Sequence, residues 1–225
     1  MSNGLYLLSL FNLNKKEKKE KHMAHIDFEN IEKKFEDALQ LPEYKKFLEE
    51  FKSADEIFVI GNGGLWAVGN HASDDCTRLF AKAGINKYVH SMDSQCLMTS
   101  VANDYGYNNM FVKWLEGHKK RLGGQKKIMV IGLSCSGGSK NVTSALYWAQ
   151  MNGYMTVMIS GQSANVLPDG INEVCLNTQY FHTTEVLTLI MFYELIAACG
   201  AKCPTIHEEV VRKSVTQPLT RPLDE

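Results

Sequence analysis

Two short apolar runs in this chain are each followed by a loop of glycine and small polar residues, and this repeated arrangement constrains the fold more than any other feature. The first run covers residues 56–60 and leads into Gly61-Asn62-Gly63-Gly64; the second covers 127–133 and leads into the serine loop, residues 134–139. Short apolar runs bounded by turn residues predict buried strands. Because a helical pattern follows each loop, the sequence predicts two strand–loop–helix units.

Both loops have the composition of an anion site. Glycine allows the backbone to approach closely, serine hydroxyls donate hydrogen bonds, and the first N–H groups of a helix carry partial positive charge. Neither loop is a nucleotide motif, since Trp66 stands where the third glycine of G-x-G-x-x-G would be and G-x-x-x-x-G-K-[ST] is absent. The serine loop suits a phosphate monoester. The alternative is that both loops are ordinary turns after buried strands.

The order of the predicted elements indicates an α/β domain. About five strand patterns alternate with helical patterns, which predicts a parallel sheet covered by helices on both faces. We assign residues 25–200 to this single domain, 1–24 to an N-terminal arm or vector-derived segment, and 201–225 to an extended C-terminal tail. The most apolar helical segment, 187–198, is interpreted as part of a buried helix.

Composition excludes several functional classes. The formal net charge of −1 lacks the basic excess of nucleic-acid binding proteins, and no apolar stretch is expected to reach membrane-spanning length. The sequence therefore predicts neither a nucleic-acid nor a membrane partner. Six scattered cysteines without a C-x-x-C pair favour reduced thiols and a cytoplasmic location. Cys135, inside the serine loop, is interpreted as a small loop residue because no histidine lies close to it in the sequence.

Five stretches carry a resemblance to a known family: 57–64, 102–108 together with Phe111, 132–142, the helical segment 145–153, and the strand and loop at 155–161. On these stretches the chain resembles the sugar isomerase (SIS) domain family, and within it the phosphoheptose isomerase branch. The resemblance implies a five-stranded parallel sheet flanked by helices, in a flavodoxin-like three-layer sandwich. It also implies binding of a small-molecule sugar phosphate, aldose–ketose isomerisation, and a homotetramer with sites between subunits.

The resemblance also implies roles for individual residues. The serine loop would bind the sugar phosphate, while the first loop and the stretch at 102–108 would contact the sugar. The implied binding residues are Asn62, Gly63, Asn103, Asp104, Ser134, Ser136 and Ser139. Leu65 departs from the family, which has a small residue after the first loop.

A histidine and a carboxylate four residues apart follow the first loop. His71 and Asp75 fall on one face of the predicted helix, as an acid–base couple or half of a metal site. The resemblance implies a glutamate at the position of Asp75, so this carboxylate is shorter than the family's. We predict that Asp75 is the catalytic base and that His71 is its polar partner.

The last long helix departs further from the family pattern. The branch has a glutamine there and, two turns later, a histidine; alignment puts Thr184 and Phe192 at these positions. Phenylalanine can neither bind zinc nor transfer a proton. We therefore predict no cofactor, with a zinc ion on His71 and Asp75 as the alternative.

Replacements for the two missing groups are present in the sequence. His182 and Glu185 flank the start of the last helix, and His207 and Glu208 lie in the tail. For each, a solvated surface residue or a helix cap is the alternative to a catalytic role.

Two functions follow from these features. The first is a sugar-phosphate isomerase in which zinc-dependent heptose-phosphate activity of the usual kind is weak or absent. The alternative is a non-catalytic phosphosugar sensor or scaffold of the same fold.

Overall fold

Five parallel strands form a single sheet, in which the second strand of the chain lies at one edge and is followed by the first, third, fourth and fifth. The computed structural model describes residues 30–122, 126–163 and 167–207. The strands are β1 (Glu56–Gly61), β2 (Tyr88–Ser91), β3 (Ile128–Ser134), β4 (Met155–Ser160) and β5 (Asn172–Cys175). This strand order is that of flavodoxin-like folds, so the predicted fold class is confirmed.

Helices cover the sheet on both sides and supply its connections. In chain order they are α1 (Ile31–Gln40), α2 (Pro42–Ser53), α3 (Gly63–Lys82), α4 (Gln95–Tyr105), α5 (Met110–Leu122), α6 (Lys140–Met151) and α7 (Phe181–Ala198), with a short 3-10 helix (Tyr107–Asn109) before α5. The predicted alternation of strands and helices is therefore observed.

Strands β1 and β3 are buried at every position, because each face of the sheet is covered. On one face, Ile57 and Val59 of β1 pack with residues of α2, α3 and α7. On the other face, Phe58 and Ile60 pack with residues of α5 and α6. This two-sided burial explains why both strands are continuous apolar runs instead of alternating patterns.

The chain changes direction across the sheet between β1 and β3. These strands are hydrogen-bonded neighbours, with Gly61 paired to Leu133, but the chain forms β2 on the far side of β1 before it returns to β3. The loops that leave the carboxyl ends of β1 and β3 therefore diverge and open a crevice between them. In parallel α/β sheets such a crevice is the usual position of a ligand.

Helix α7 is apolar on nearly all sides. By length and composition it could cross a membrane, contrary to the expectation from the sequence, and 44% of it is buried inside the domain. Its inward side chains, among them Leu187, Met191 and Leu195, belong to the hydrophobic core beside α3. The prediction of a buried helix in this region is confirmed, and the helix begins at Phe181, before the segment singled out from the sequence.

The predicted terminal segments are only partly covered by the described residues. Residues 1–24 and 208–225, including Glu208, lie outside them. Residues 201–207 leave the end of α7, and His207 is exposed. The assignment of an arm and a tail stays a prediction.

Candidate functional site

The serine loop lies at the carboxyl end of β3, on one wall of the crevice. Ser134 is buried, and its Oγ lies 3.0 Å from Oγ of Ser139. Ser136 is exposed, and its Oγ accepts a hydrogen bond from the Gly138 N–H at 3.3 Å. Gly137 adopts a φ of 66°, which favours glycine. The three predicted serines therefore lie in one short loop that leads into the N-terminus of α6. This is the arrangement that an anion site uses.

The side-chain amide of Asn62, in the first loop, forms hydrogen bonds with residues on the other side of the crevice. Asn62 Nδ2 donates to Asn141 Oδ1 at 2.9 Å, and Asn141 Nδ2 donates back to Asn62 Oδ1 at 2.8 Å. The Tyr107 hydroxyl also donates to Asn62 Oδ1, at 2.7 Å. Asn141 and Tyr107 were not predicted as site residues, although both lie in the stretches that carry the resemblance. Gly63, next to Asn62, has a φ of 55°.

Glu185 brings a carboxylate to the same crevice. Its carboxylate occupies the space that a Cβ on Gly64 would fill, so this close approach depends on glycine at that position. The Glu185 side chain is 26% exposed, and His182 Nδ1 lies 3.7 Å from its Oε2. The His182 side chain is itself 70% exposed, so this contact lies at the surface and is expected to contribute little to stability.

Cys135 has the environment of a structural thiol. Burial raises the pKa of the Cys135 thiol, although a hydrogen bond with Thr184 lowers it in part. A raised pKa leaves little thiolate near neutral pH. This finding agrees with its interpretation as a small loop residue.

Asn103 and Asp104 lie in the last turns of α4, close in sequence to Tyr107. Both are exposed, and Asn103 Nδ2 donates to Asp104 Oδ1 at 3.2 Å. Their role in contacting a sugar stays a prediction.

A second polar cluster lies between α3 and α7; we call His71, Asp75, Arg78 and Tyr193 the α3–α7 cluster. The structure brings the predicted pair together, with His71 Nε2 3.2 Å from Asp75 Oδ2. Arg78 Nη2 donates to Asp75 Oδ1 at 2.7 Å, and the Tyr193 hydroxyl donates to Asp75 Oδ2 at 2.8 Å. The same hydroxyl lies 3.4 Å from His71 Nε2. Both oxygens of Asp75 are thus hydrogen-bonded.

The contacts within the cluster shift the pKa values of Asp75 and Tyr193 in opposite directions. Burial raises the pKa of the Asp75 carboxyl, but hydrogen bonds from Arg78 and Tyr193 and the nearby His71 outweigh burial, so the pKa lies below its ordinary value. Burial and the hydrogen bond to Asp75 raise the pKa of Tyr193 to about 12. Near neutral pH, Asp75 is therefore a carboxylate and Tyr193 a neutral phenol.

The residues that sequence alignment selected on α7 face the core. Phe192 is fully buried. Thr184 is also buried, with its hydroxyl 2.6 Å from that of Thr178. The next residue in each case faces the polar sites, Glu185 at the crevice and Tyr193 in the α3–α7 cluster. Thr184 and Phe192 are each followed by a polar residue in this apolar helix. That pattern was the available sequence signal for Tyr193.

The crevice and the α3–α7 cluster are separate places within one chain. Gly64 lies beside Glu185, and Asp75 beside Tyr193, so α3 and α7 run in the same direction. At 1.5 Å per residue, His71 lies about 10 Å and Asp75 about 17 Å along α3 from Gly64. Within a single copy, the predicted base therefore does not adjoin the crevice.

The α3–α7 cluster does not fit a zinc ion. Across the ranges 30–122, 126–163 and 167–207, no three His, Cys, Asp or Glu side chains are grouped so that they could hold a metal. His71 and Asp75 supply two donors, whereas catalytic zinc sites use three protein ligands. Arg78 and Tyr193 already occupy the two oxygens of Asp75.

Curated relatives are similar to this chain in sequence, although no family model matches it. The chain is 30% identical over 145 residues to the phosphoheptose isomerase of Fusobacterium nucleatum, covering 63% of this chain and 72% of the relative. It is 28% identical over 144 residues to that of Roseiflexus, covering 63% and 70%. It is 30% identical over 130 residues to phosphoheptose isomerase 2 of Campylobacter jejuni, covering 57% of this chain and 60% of that relative's length.

Solved structures share the fold. Phosphoheptose isomerase GmhA from Neisseria gonorrhoeae superposes with a TM-score of 0.63 at 19% identity, over 82% of this chain and 98% of that one. A phosphoheptose isomerase from Francisella tularensis gives 0.60 at 16% identity, over 85% and 98%. The NanR protein of Vibrio vulnificus, complexed with ManNAc-6P, gives 0.51 at 16% identity, over 76% and 59%.

The sequence relatives and the shared fold lead to the same assignment. The relatives of Fusobacterium and Campylobacter are each 30% identical to this chain, and the sheet order and flanking helices are those of the SIS fold. On α7 the chain presents Glu185 to the crevice and Tyr193 to the α3–α7 cluster. The chain therefore belongs to the phosphoheptose isomerase family of SIS-domain proteins, as a divergent member.

Proposed function

We propose that this protein is a sugar-phosphate isomerase that interconverts the aldose and ketose forms of its substrate. The observation that carries the proposal is the serine loop, which leads into the N-terminus of α6 in the crevice at the carboxyl ends of β1 and β3. Such a loop binds a phosphate, and isomerisation needs a carboxylate within reach of the proton next to the carbonyl group. Names of the relatives support the same reaction class.

We assign phosphate binding to Ser134, Ser136 and Ser139, and the proton transfer to Asp75 with His71. Because Asp75 lies about 17 Å along α3 from the crevice of its own copy, the sugar held by one serine loop would reach the pair of a neighbouring copy. Glu185 and Gly63 would then contact the sugar chain near the phosphate. In the rival arrangement the whole reaction takes place in one crevice, and Glu185 is the base.

A site shared between copies requires an oligomer, and we propose a homotetramer. Helix α7 exposes apolar side chains, with Phe181 70%, Val186 45% and Ile190 40% exposed. Apolar side chains grouped on one helix are typical of a surface covered by another copy. We also propose a cytoplasmic location, which the six free cysteines support.

A substrate screen tests the proposed reaction. The purified full chain is incubated with pentose, hexose and heptose phosphates, with EDTA or with added zinc, and the aldose and ketose forms are measured. We expect turnover of at least one sugar phosphate in EDTA. Absence of turnover on every substrate, with or without zinc, would contradict the proposal.

Mixed oligomers test whether the site is shared. Chains with Ser136→Ala and Ser139→Ala are co-expressed with chains carrying Asp75→Asn under a second affinity tag, and hetero-oligomers are purified through both tags. A shared site restores activity, because some sites combine an intact serine loop with an intact Asp75. As a control, co-expression of Asp75→Asn with His71→Ala restores none, since both defects fall in one centre. No restoration in the first pair, together with an inactive Glu185→Gln variant, would assign the base to Glu185.

A non-catalytic phosphosugar sensor is the second candidate function. The observation that favours it is that Arg78 and Tyr193 engage both oxygens of Asp75, which lowers its basicity. A sensor would bind sugar phosphates through the serine loop and leave them unchanged. Calorimetric binding without turnover in the screen would identify this alternative.

A further inference from the structure

Tyr193 is the side chain of α7 that reaches the predicted catalytic pair. It is eight residues, or about two turns, after Glu185 on α7, and both side chains contact residues of α3. Phe192 and Thr184, by contrast, point into the core. Among the polar side chains of α7, Glu185 lies at the crevice and Tyr193 lies at the pair.

The Tyr193 hydroxyl lies beside His71 and Asp75, where a third protein ligand would be needed if these two residues bound a metal ion. It donates to Asp75 Oδ2 at 2.8 Å and lies 3.4 Å from His71 Nε2. Its proton points to the same Asp75 oxygen that lies 3.2 Å from His71 Nε2. A metal ion bridging the imidazole and the carboxylate would compete with this hydrogen bond.

Arg78 supplies the positive charge that a metal would otherwise bring. Its Nη2 lies 2.7 Å from Asp75 Oδ1, the oxygen that Tyr193 leaves free. A charge-assisted hydrogen bond of this length is among the stronger contacts of a carboxylate. The cation and the phenol together fix Asp75 in one orientation.

We propose that Tyr193 and Arg78 replace a metal ion at the His71–Asp75 pair, with Tyr193 as the residue that positions Asp75 and His71 for proton transfer. The inference rests on the proposed function for its kinetic consequence but not for its metal-binding consequence. Catalysis at this site then does not require zinc. Removal of the Tyr193 hydroxyl disrupts the site even though the proposed catalytic pair, His71 and Asp75, is still present.

Three variants of the full chain test the inference. Tyr193→Phe removes the hydroxyl, Tyr193→His adds a third metal ligand beside His71 and Asp75, and Tyr147→Phe is the matched control at an exposed tyrosine of α6. Thermal unfolding of each variant first establishes that it is folded. Zinc binding is measured by calorimetry on EDTA-treated protein, and kcat and KM are measured with EDTA and with zinc.

We expect no stoichiometric zinc on the wild type, on Tyr193→Phe or on Tyr147→Phe, and about one zinc per chain on Tyr193→His, lost again when His71→Ala is added. We expect kcat of Tyr193→Phe to fall at least about tenfold with KM nearly unchanged, as for a group that aligns the reacting carboxylate.

One zinc per wild-type chain, abolished by His71→Ala, would overturn the inference. So would a kcat of Tyr193→Phe equal to that of Tyr147→Phe. If the wild type turns over no sugar phosphate, the proposed reaction fails while zinc binding still decides the metal question.

Discussion

The crevice and the α3–α7 cluster are built from different kinds of structure. The crevice consists of two loops at the ends of β1 and β3, held by backbone turns and by the Asn62–Asn141 amide pair. The α3–α7 cluster consists of long side chains from two helices, joined through Asp75. A loop motif is local in sequence, whereas the cluster joins residues more than a hundred positions apart. The comparison teaches that a contiguous loop can be predicted from a sequence motif, whereas a cluster of side chains from two helices depends on how those helices pack.

The largest expected effect distinguishes Asp75 from Glu185 as the catalytic base. Asp75→Asn keeps the shape of the side chain but removes the base, so we expect kcat to fall roughly 10²–10⁴-fold. Asp74→Asn, at the adjacent exposed position on α3, is the matched control and should leave kcat unchanged. Steady-state kinetics on the best substrate of the screen gives the answer. If Glu185→Gln has the large effect and Asp75→Asn does not, the chemistry belongs to the crevice.

The second effect concerns phosphate binding at the crevice. Because each hydrogen bond to a charged group is worth about 1.5–3 kcal/mol, Ser136→Ala with Ser139→Ala should weaken sugar-phosphate binding roughly 100-fold or more. Calorimetry with the sugar phosphate and with inorganic phosphate measures the loss. Ser53→Ala, at the end of α2, is the control, with its hydroxyl bonded to Glu50 O. Unchanged affinity in the double variant would show that the serine loop is an ordinary turn.

A third effect tests whether the two regions meet between copies. Charged side chains on the exposed face of α7, introduced as Val186→Asp with Ile190→Asp, should weaken assembly at least about tenfold, because each buries a charge at an apolar contact. Ile206→Asp, at a residue that is 87% exposed and outside α7, should leave the assembly intact. Light scattering at micromolar concentration measures the mass. A monomeric wild type would contradict the shared site.

The smallest expected effect is a dependence of stability on pH. The folded pKa of Asp75 lies below its ordinary value, so the unfolded state binds more protons as pH falls towards and below about 4. The contribution of Asp75 to stability is therefore present above that value and lost as pH falls through the folded pKa. We expect a loss below about 1 kcal/mol, measured by urea unfolding at pH 3–6. Asp75→Asn should lack this component and Asp74→Asn should retain it; equal pH slopes in the two variants would contradict the prediction.

The sequence by itself determined the sheet, the serine loop and the pairing of His71 with Asp75. Continuous apolar runs report burial on both faces, the serine loop is contiguous, and a spacing of four places two side chains on one helical face. Each of these is a local pattern, and the family resemblance added the expected ligand.

Only the tertiary structure decided which side of α7 faces the polar sites. Successive residues on a helix differ by about 100° in direction, so an alignment at Phe192 and the contact at Tyr193 differ by one position but point to different surroundings. Because α7 is apolar on nearly all sides, its sequence does not reveal which face is buried. The same holds for Asn141, at the start of α6, and for Tyr107, in the 3-10 helix before α5, because only tertiary packing brings both side chains to Asn62.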